Sequence, residues 1–393
     1  MKILTISTMF PNNVQPNFGI FVKHRLAALS RLCQLKVISP IPYCPLVGRM
    51  KRYQYRTQVA GRMDIDGLEV HYPRFFSFPM ILKPLDAVFI FFSLWRFCRK
   101  NREEVDIIDA HLAYPDGFAA VLLGKVLGKP VSITLRGHDI FDLPRYPVRG
   151  RQVKWAMEQA DIVLSVAQAL KDGAVKMGIS GDKIKVAANG VDTKIFYPID
   201  RRQAREELRL PQDKRIILSA GHLVVRKGFH YIIRALDILK RAGQGDILLV
   251  IVGAAGIEGN YKPQLDKLIA GLGLEKEVLF AGGQPNHQMY RWYSAADIFC
   301  LASLQEGWAN VLLEALACGC PVVATNAWGN AEVICKPELG LLAEPENADS
   351  LAETIQKALI KDWDRAKITE FAGGHSWESV AENVLREFNN CFN

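Results

Sequence analysis

Short apolar runs alternate with helical patterns along most of the chain, and this alternation constrains the fold more than any other feature. Most of the runs are nearly continuous stretches of Ile, Val and Leu, as is typical of parallel strands that are buried on both faces of a sheet. Helical stretches at 21–32, 228–241 and 311–318 lie between them. This order predicts an α/β fold built from βαβ units. The predicted strands are residues 2–7, 34–39, 105–110, 131–135, 162–166, 184–187, 215–220, 247–252, 278–280, 298–302 and 321–325.

The pattern restarts near residue 200, which predicts two domains in a chain of 393 residues. The turn signature NGVD at 189–192 and a polar stretch at 200–213 precede the next predicted strand. We therefore expect two Rossmann-like domains, residues 1–195 and 196–373. A final helical segment, 374–393, is expected to return toward the first domain. Such sheets bind ligands beyond the carboxyl ends of their strands, so the expected active site is the cleft between the domains.

Charge is distributed unevenly along the chain. The formal net charge is +8, made up of +11 over residues 1–200 and −3 over residues 201–393. A basic half favours anionic partners, namely phospholipid headgroups, diphosphate-linked acceptors or nucleic acid. The alternative is an ordinary solvated basic surface. The eight cysteines include no C-x-x-C pair and fit free thiols in a reducing compartment. The first residues do not resemble a signal peptide. We therefore expect a cytoplasmic protein.

One apolar segment suggests contact with a membrane surface. The stretch 85–95 is about half the roughly 20 residues that a spanning helix needs. The wider segment 75–100 is rich in Phe and ends in Arg96, Arg99 and Lys100, with Arg102 just beyond. It could form an amphipathic surface that rests on an anionic bilayer. The alternative is a core helix with a basic end.

The segment EGWANVLLE at 306–314 carries the clearest chemistry. It follows a predicted strand and opens a predicted helix, so Glu306 would lie at the carboxyl edge of the sheet. Unpaired backbone N–H groups at the start of a helix form an anion site that suits a diphosphate. Glu314 could accept hydrogen bonds from the hydroxyls of a ribose, and Glu306 from those of a sugar. The alternative is two exposed helical glutamates. The N–H groups in question belong to Ala309, Asn310 and Val311.

The longer string EGWANVLLEALACGCPVVAT at 306–325 resembles the donor-site signature of family 4 of the retaining glycosyltransferases. The resemblance implies the GT-B fold, in which two Rossmann-like domains flank the active site. It extends over most of the chain and, at the N-terminus, is similar to the exopolysaccharide and cell-wall polymer branch. The other matching segments are NGVD at 189–192, GHL at 221–223, KG at 227–228, ADI at 296–298, FP at 10–11, GIFV at 19–22 and His111 with YPDG at 114–117.

The resemblance assigns roles to individual residues of the donor site. It implies that Glu306 contacts the transferred sugar and Glu314 the nucleotide ribose. Family members bind the diphosphate through a basic pair after the first strand of the second domain, and Lys227 matches its lysine. The position of the usual arginine is His222 here, so we expect Arg226 to supply the missing charge.

The first domain departs from the family pattern at LRGHD, residues 135–139. Many members carry a histidine at the position of Arg136, close to the reacting carbon. Either Arg136 binds phosphate or acceptor, or His138 turns inward to take the place of that histidine. Asp139 would orient His138 or the acceptor hydroxyl. A structural role for His138 at the start of a helix is a further alternative.

Two other residues of the first domain are candidates. His111 ends a predicted strand and is expected to face the same cleft and bind substrate; its alternative role is as a buried packing residue. Gly19 would let the backbone of the first loop approach the donor, unless it merely forms a tight turn.

The sequence also contains a motif that we discount. Asp64 and Asp66 match the D-x-D pattern that binds metal in another glycosyltransferase fold, but Gly67 follows them and indicates a hairpin turn. We expect no metal and no cofactor, and a donor that carries UDP or GDP.

The expected activity is transfer of a sugar with retention, in the synthesis of a surface polysaccharide or cell-envelope glycan. The expected partners are a nucleotide-sugar donor, a saccharide or lipid-linked acceptor and an anionic surface on the inner face of the plasma membrane, and not nucleic acid. Two alternatives stay open, a sugar-nucleotide 2-epimerase of the same fold and a non-catalytic nucleotide-sugar-binding protein.

Overall fold

The protein divides into two compact units in a computed structural model. The structure describes residues 1–44, 55–78, 82–101, 104–256 and 259–392. Unit 1 comprises Met1–Asn189 together with Trp377–Asn393, and unit 2 comprises Gly190–Ser376. The division after Asn189 falls within the NGVD turn.

Unit 1 contains an eight-stranded sheet with the order β10-β9-β8-β7-β1-β2-β5-β4. Its neighbours pair in parallel except β4 and β5, which are antiparallel, with Ile65 opposite Leu68. The hairpin predicted at the D-x-D motif is therefore confirmed. The short strands β3 and β6 form a separate parallel pair. The strands are β1 Lys2–Ile6, β2 Gln34–Ile38, β3 Ile41–Tyr43, β4 Arg62–Ile65, β5 Leu68–His71, β6 Arg74–Phe76, β7 Ile107–His111, β8 Val131–Leu135, β9 Ile162–Ser165 and β10 Ile184–Val186.

Helices cover this sheet because its strands are apolar on both faces. One core cluster includes Ile108 and Ile133, and another includes Ile107 and Leu164. Neighbouring strand residues point to opposite faces, which explains why Ile107 and Ile108 belong to different clusters. The helices are α1 Ile20–Leu29, α2 Asp86–Asn101, α3 Phe118–Leu127, α4 His138–Phe141, α5 Pro147–Gln159 and α6 Gln168–Lys176.

Unit 2 is a second parallel α/β sheet, with the order β13-β12-β11-β14-β15-β16. Two clusters of buried apolar residues pack within it. Its strands are β11 Arg215–Ala220, β12 Ile247–Val252, β13 Val278–Gly282, β14 Ile298–Leu301, β15 Val322–Thr325 and β16 Gly340–Ala343. Its helices are α7 Arg201–Leu208, α8 Phe229–Arg241, α9 Lys262–Leu272, α10 Met289–Ala295, α11 Asn310–Ala317, α12 Asn330–Val333, α13 Ala348–Ile360 and α14 Arg365–Gly373.

The last helix, α15 (Trp377–Phe392), belongs to unit 1. Its buried residues Ala381, Val384 and Phe388 lie in the same core cluster as Val22 and Leu26 of α1. The spacing of three and four residues places these side chains on one face of the helix, so α15 packs as an amphipathic element.

Each of the eleven predicted strands corresponds to an observed strand whose ends lie within two residues. The largest shifts are two residues: β7 was predicted to start at Val105 and starts at Ile107, and β13 was predicted to end at Phe280 and ends at Gly282. The predicted strands did not include β3, β6 and β16, and for β4 and β5 only the hairpin turn between them was predicted; all five are three or four residues long. Runs of that length show too little periodicity to distinguish a strand from a loop.

The strand order reverses its direction at one place in each large sheet. In unit 1 the reversal lies between β1 and β7, and in unit 2 it lies between β11 and β14. The loops after two such strands leave in opposite directions and open a crevice at the carboxyl edge of the sheet. Most of the candidate site residues lie in or beside the loops after these four strands and after β8.

Candidate active site

The loops that follow β11 and β14 are in direct backbone contact. Gly228 has φ +68°, and a Cβ at this position would lie 1.9 Å from the carbonyl oxygen of Ala302. Any side chain would therefore push the loops apart. The N–H of Leu304 donates to the carbonyl of Arg226 at 2.8 Å. These contacts fix the residue before Gly228, which is Lys227, beside the loop after β14.

Lys227 and Glu306 form an ion pair in this crevice. The Lys227 ammonium donates to Glu306 Oε1 at 2.5 Å, and the Ser303 hydroxyl donates to the same oxygen at 2.8 Å. The side chains of Lys227 and Glu306 are only 13% and 10% exposed. Two predicted site residues are thus brought together in a position that is largely shielded from water, where charge interactions are strong.

The loop after β14 is anchored from its other side by the last residue of β15 and by the chain that follows it. Thr325 donates its hydroxyl proton to the carbonyl of Ser303 at 2.6 Å, and the N–H of Gly329 donates to the carbonyl of Glu306 at 3.3 Å. The backbone of Glu306 is therefore fixed by hydrogen bonds, and its carboxylate is fixed by Lys227 and Ser303. A fixed carboxylate can select hydroxyl groups by their geometry.

The helix α11 begins directly after this loop, as the anion-site prediction requires. Ala309 is buried, whereas Asn310 and Val311 are partly exposed. The N–H of Asn310 donates to the carbonyl of Trp308 at 3.1 Å, so this donor is engaged within the loop. The remaining predicted donors are the N–H groups of Ala309 and Val311.

Glu314 lies one turn into α11, and Tyr293 of α10 holds one of its oxygens. The Tyr293 hydroxyl donates to Glu314 Oε2 at 2.9 Å. Burial raises the pKa of Glu314 to about 7, and the bond from Tyr293 acts in the opposite direction. The carboxylate thus bears a desolvation cost that hydroxyl donors of a ligand would relieve.

The other two predicted donor residues lie in the loop after β11. His222 is exposed and follows Gly221 at the end of the strand. Arg226 is partly exposed and sits with Lys227 in a 3-10 turn, Val225–Lys227. The structure therefore places both residues in the loop that carries Lys227.

The corresponding crevice in unit 1 contains Gly19 at the start of α1. Gly19 has φ +67°, and a Cβ there would lie 2.3 Å from the carbonyl oxygen of Met9. Only glycine fits where the two ends of the β1–α1 loop meet. This contact provides a structural reason for Gly19 beside the predicted role at the donor.

His111, Arg136 and Asp139 form one connected group at the ends of β7 and β8. The Arg136 guanidinium lies 2.7 Å from His111 Nδ1 and donates to Asn189 Oδ1 at 2.7 Å. The Asp139 carboxylate accepts from the backbone N–H groups of Ala113 at 2.5 Å and of Arg136 at 2.9 Å. Three predicted site residues of the first domain are therefore close together.

His138 does not belong to this group. Its ring Nδ1 lies 2.8 Å from Asp142 Oδ2 one turn later in the chain, and its side chain is 55% exposed. The alternative in which His138 turns inward is therefore wrong for this structure, because the partner on its own helical turn holds the ring outward. The Asp139 carboxylate was expected to orient His138 or the acceptor hydroxyl; its observed partners are the backbone N–H groups of Ala113 and Arg136, and not His138.

A further buried carboxyl group, Asp116, lies beside the loop after β1. Its Oδ2 accepts from the N–H and the hydroxyl of Thr8 at 2.9 and 3.0 Å. Burial raises the pKa of Asp116 to about 8, against the effect of the Thr8 bonds. Asp116 is thus expected to be mostly protonated at neutral pH, when it could donate a hydrogen bond.

Sequence reasoning missed several residues that support these groups. Ser303, Tyr293 and Asn189 donate to or accept from predicted site residues, and Asp109 and Arg25 lie behind His111 and Arg136. Asp109 could have been found, because alternate residues of a strand share one face and it is two residues before His111. The contacts of Tyr293 and Arg25 join distant segments, and no local pattern indicates them.

Comparison with solved structures defines the class of fold. The chain is similar to a sucrose-phosphate synthase from Thermosynechococcus elongatus, with a TM-score of 0.80, 18% identity and coverage of 100% of this chain and 99% of that one. Anabaena Alr3699/HepE in complex with UDP gives a TM-score of 0.75 at 19% identity, covering 99% of this chain and 100% of that one. The fold is the α/β GT-B fold of glycosyltransferases, with two Rossmann-like domains.

Comparison with families and relatives then identifies the family. The model described as Glycosyltransferase Family 4 matches residues 22–195, and that described as Glycosyl transferases group 1 matches residues 200–373. A Bacillus subtilis strain 168 protein, named as the teichuronic acid biosynthesis glycosyltransferase TuaC, is 30% identical over 364 residues, covering 91% of this chain and 89% of that protein. An N-acetyl-alpha-D-glucosaminyl L-malate synthase of Bacillus anthracis is 27% identical over 73% of each chain. This chain belongs to glycosyltransferase family 4.

Two kinds of feature are absent from the described residues. Within them, no group of three or more His, Cys, Asp or Glu side chains is arranged to hold a metal ion. None of the helices in the same ranges is both long and apolar enough to cross a bilayer. All eight cysteines are free thiols.

Replacing Glu314 by Gln should stabilise the protein at alkaline pH. The folded pKa of Glu314, about 7, lies above its ordinary value of 4.5. The ionised Glu314 carboxylate therefore lowers the free energy of unfolding. This destabilisation is negligible below pH 4.5 and reaches its full size above pH 7. Glu314→Gln keeps an acceptor for Tyr293 and removes this cost. We expect the free energy of unfolding to rise by about 2–3 kcal/mol near pH 8 and to change little near pH 4.

Calorimetric melting curves at the two pH values would measure this difference. Glu353→Gln is the matched control, because the Glu353 side chain is 72% exposed. An equal effect of Glu314→Gln at both pH values, or a loss of stability near pH 8, would contradict the buried ionised carboxylate.

Proposed function

We propose that this protein transfers a sugar from a nucleoside diphosphate sugar, with UDP or GDP as the nucleotide, to a hydroxyl group of a saccharide or lipid-linked saccharide, with retention of anomeric configuration. The observation that carries the proposal is the Lys227–Glu306 pair at the strand-order reversal of unit 2, with Glu314 one helical turn further on. Family membership supplies the class of reaction, and these residues supply its chemistry.

The nucleotide-sugar donor would bind along the loop after β14 and the first turns of α11. In this arrangement the Lys227 ammonium and the N–H groups that open α11 bind the diphosphate, since both are suited to anions. Glu314 accepts from the ribose hydroxyls and Glu306 from those of the sugar. The crystal structures of Alr3699/HepE with UDP and with UDP-glucose support the choice of a nucleotide sugar as ligand.

The environment of Glu306 favours a binding role over nucleophilic attack. Its Oε1 already accepts from both Lys227 and Ser303, and charge pairing of this kind makes a carboxylate a poor nucleophile. The proposal is therefore a front-face reaction in which the leaving diphosphate takes the proton of the acceptor hydroxyl. The protein contributes positioning and stabilises the charge that develops on the diphosphate.

The relatives favour an acceptor from a surface polysaccharide or cell-envelope glycan. TuaC, which shares 30% identity over most of both chains, is named for teichuronic acid biosynthesis. The positively charged first half of this chain would suit an acceptor that carries phosphate.

One face of α2 supports binding at an anionic membrane surface. Ala87, Ile90, Leu94 and Cys98 are the buried side of this helix. The opposite side carries an open groove of about 610 Å³, lined by Phe92, Trp95, Arg96, Arg99 and Lys100. We call this set of five residues the aromatic–basic groove. Phe92 is 54% exposed, although it is a large apolar side chain. Aromatic residues beside arginines and lysines suit the headgroup region of an anionic bilayer.

The structure describes only part of the segment 75–100 that was predicted to contact a membrane. Residues 79–81 and Arg102, which the sequence analysis included with it, lie outside the described residues. The membrane proposal therefore rests on the aromatic–basic groove alone.

Glu306→Gln should separate transfer from nucleotide binding. The variant loses the negative charge that faces the sugar, so transfer or hydrolysis of the donor should fall by about 100-fold or more. Lys227 loses its anionic partner and becomes freer to bind a diphosphate, so affinity for the nucleoside diphosphate should be unchanged or tighter. Turnover assays and calorimetric titration with UDP and GDP would measure the two effects.

Glu338→Gln, an exposed position in the same unit, is the control for the loss of one negative charge. Undiminished turnover of Glu306→Gln would overturn the assigned role. Product analysis separates the alternatives, because a 2-epimerase would release nucleotide and sugar without an acceptor, and a binding protein would not turn over.

The aromatic–basic groove should bind vesicles that contain anionic lipid. Replacing both Arg96 and Arg99 by Gln should weaken binding to phosphatidylglycerol vesicles by about 10- to 30-fold at low salt, from about 1 kcal/mol for each charge. Lys129→Gln with Lys176→Gln, two exposed positions in unit 1, is the matched control. Vesicle co-sedimentation measures the effect, and equal weakening by both double variants would refute a specific groove.

A further inference from the structure

We propose that Arg136 of unit 1 binds a phosphate or diphosphate group, and that His111 and Asp109 are positioning residues that hold its guanidinium for that ligand. The inference rests on the proposed function and adds a second anion site to the one built around Lys227. It follows from the neutral groups that hold the Arg136 guanidinium and from the lack of a carboxylate paired with it in the described residues.

The groups that hold the Arg136 guanidinium are formally neutral. They are the amide oxygen of Asn189 at 2.7 Å, the ring nitrogen of His111 at 2.7 Å and the ring of Phe21, whose centroid is 5.2 Å from the guanidinium carbon. None of the ion pairs in the described part of the chain includes Arg136. The carboxylate of Asp139 accepts from the backbone N–H of Arg136 instead. The guanidinium is thus fixed in place without a direct anionic partner.

The hydrogen bond to Arg136 determines the tautomer of His111. A guanidinium can only donate, so His111 Nδ1 must accept and its proton must lie on Nε2. That nitrogen lies 3.2 Å from Asp109 Oδ2. Burial lowers the pKa of His111 to about 4, against the effect of Asp109, so the ring is neutral at physiological pH. Arg136 thus fixes the tautomer of His111, the nearby Asp109 carboxylate stabilises the proton on Nε2 electrostatically, and His111 in turn orients Arg136.

A second guanidinium adds to the positive charge of this region. Arg25 is fully buried and donates to the Thr134 hydroxyl at 3.3 Å, while its Nε and one terminal nitrogen have no hydrogen-bond partner within the described residues. Burial and then the charge of Arg25 lower the pKa of Arg136. Arginine nevertheless stays protonated in proteins, so the penalty persists until an anion offsets it.

The accessible part of the group is Arg136 itself. Arg25, Asp109 and His111 are buried, whereas Arg136 is partly exposed at the carboxyl edge of the sheet. The planar fork of an arginine matches two oxygens of one phosphate group. The ligand expected for Arg136 is therefore a phosphate group. Two sources share this chemistry, the diphosphate of the donor and a phosphate-bearing acceptor.

Calorimetric titration of the full chain with UDP, GDP and inorganic pyrophosphate tests the site. If the donor supplies the phosphate, Arg136→Gln should weaken UDP or GDP binding at least about tenfold. If the acceptor supplies it, nucleotide affinity should persist, while pyrophosphate should bind the nucleotide-saturated protein and lose at least about tenfold in the variant. Unchanged binding of all three probes by Arg136→Gln would overturn the proposal.

Two further variants keep this test decisive. Arg151→Gln removes an exposed positive charge from the same unit and should leave all three affinities unchanged. Arg136→Lys keeps the charge without the fork and should bind more weakly than the unmodified protein but better than Arg136→Gln. If Arg136→Gln does not fold, unweakened binding by Arg136→Lys would refute recognition by the fork. Loss of turnover in Glu306→Gln is independent of these titrations, so the proposed function and this site can fail separately.

The positioning role has its own spectroscopic readout. The ¹⁵N shifts of the His111 ring, assigned by their loss in His111→Gln, should show a neutral ring protonated on Nε2 near pH 7. Asp109→Asn should disturb that tautomer and weaken the Arg136-dependent anion binding several-fold. A ring protonated on Nδ1, or anion binding that is indifferent to Asp109→Asn, would refute the positioning role.

Discussion

The close contact between the loops after β11 and β14 is the constraint on which the proposed donor site depends. Gly228 leaves no room for a side chain against Ala302, and the resulting approach brings Lys227 to 2.5 Å from Glu306. The strand order of unit 2 makes this possible, because β11 and β14 are neighbours at the point where the order reverses. The same loop then opens α11, whose first turns carry Glu314 and the backbone N–H groups that are proposed to bind the diphosphate. A chain that moved these loops apart would lose the charge pair and the proposed anion site together.

Both units retain ionisable groups in positions that cost stability. Desolvation raises the pKa of Glu314 to about 7, and the partly exposed guanidinium of Arg136 lies near the fully buried guanidinium of Arg25. Proteins tolerate such groups where a ligand offsets the cost. Arg136 follows β8 at the carboxyl edge of its sheet and Glu314 lies in the helix after β14, where hydroxyl-rich and phosphate-bearing ligands are expected. The desolvation cost of these residues is thus consistent with their proposed roles in ligand binding.

Regular periodicity made the architecture predictable. The parallel strands were evident because apolar residues run continuously through them, and β1, β7, β11 and β14 already located the loops of interest. The glutamate segment was equally clear, since its strand–loop–helix setting is local. The orientation of His138 was not predictable, because the competition between an inward position and Asp142 depends on the turn it starts. Partners such as Tyr293 and Arg25 come from distant elements, so only the folded chain shows them.

Turnover of nucleotide sugars by the unmodified protein tests the central claim most directly. The claim is that the Lys227–Glu306 pair and Glu314 hold a nucleoside diphosphate sugar for retaining transfer. UDP- and GDP-sugars would be assayed singly for stabilisation of the folded protein and for release of nucleotide, with the anomeric configuration of the product read by proton NMR. The account predicts that at least one donor raises the melting temperature by mass action and yields a product that keeps the configuration of the donor. Binding without turnover, or a product of inverted configuration, would contradict it.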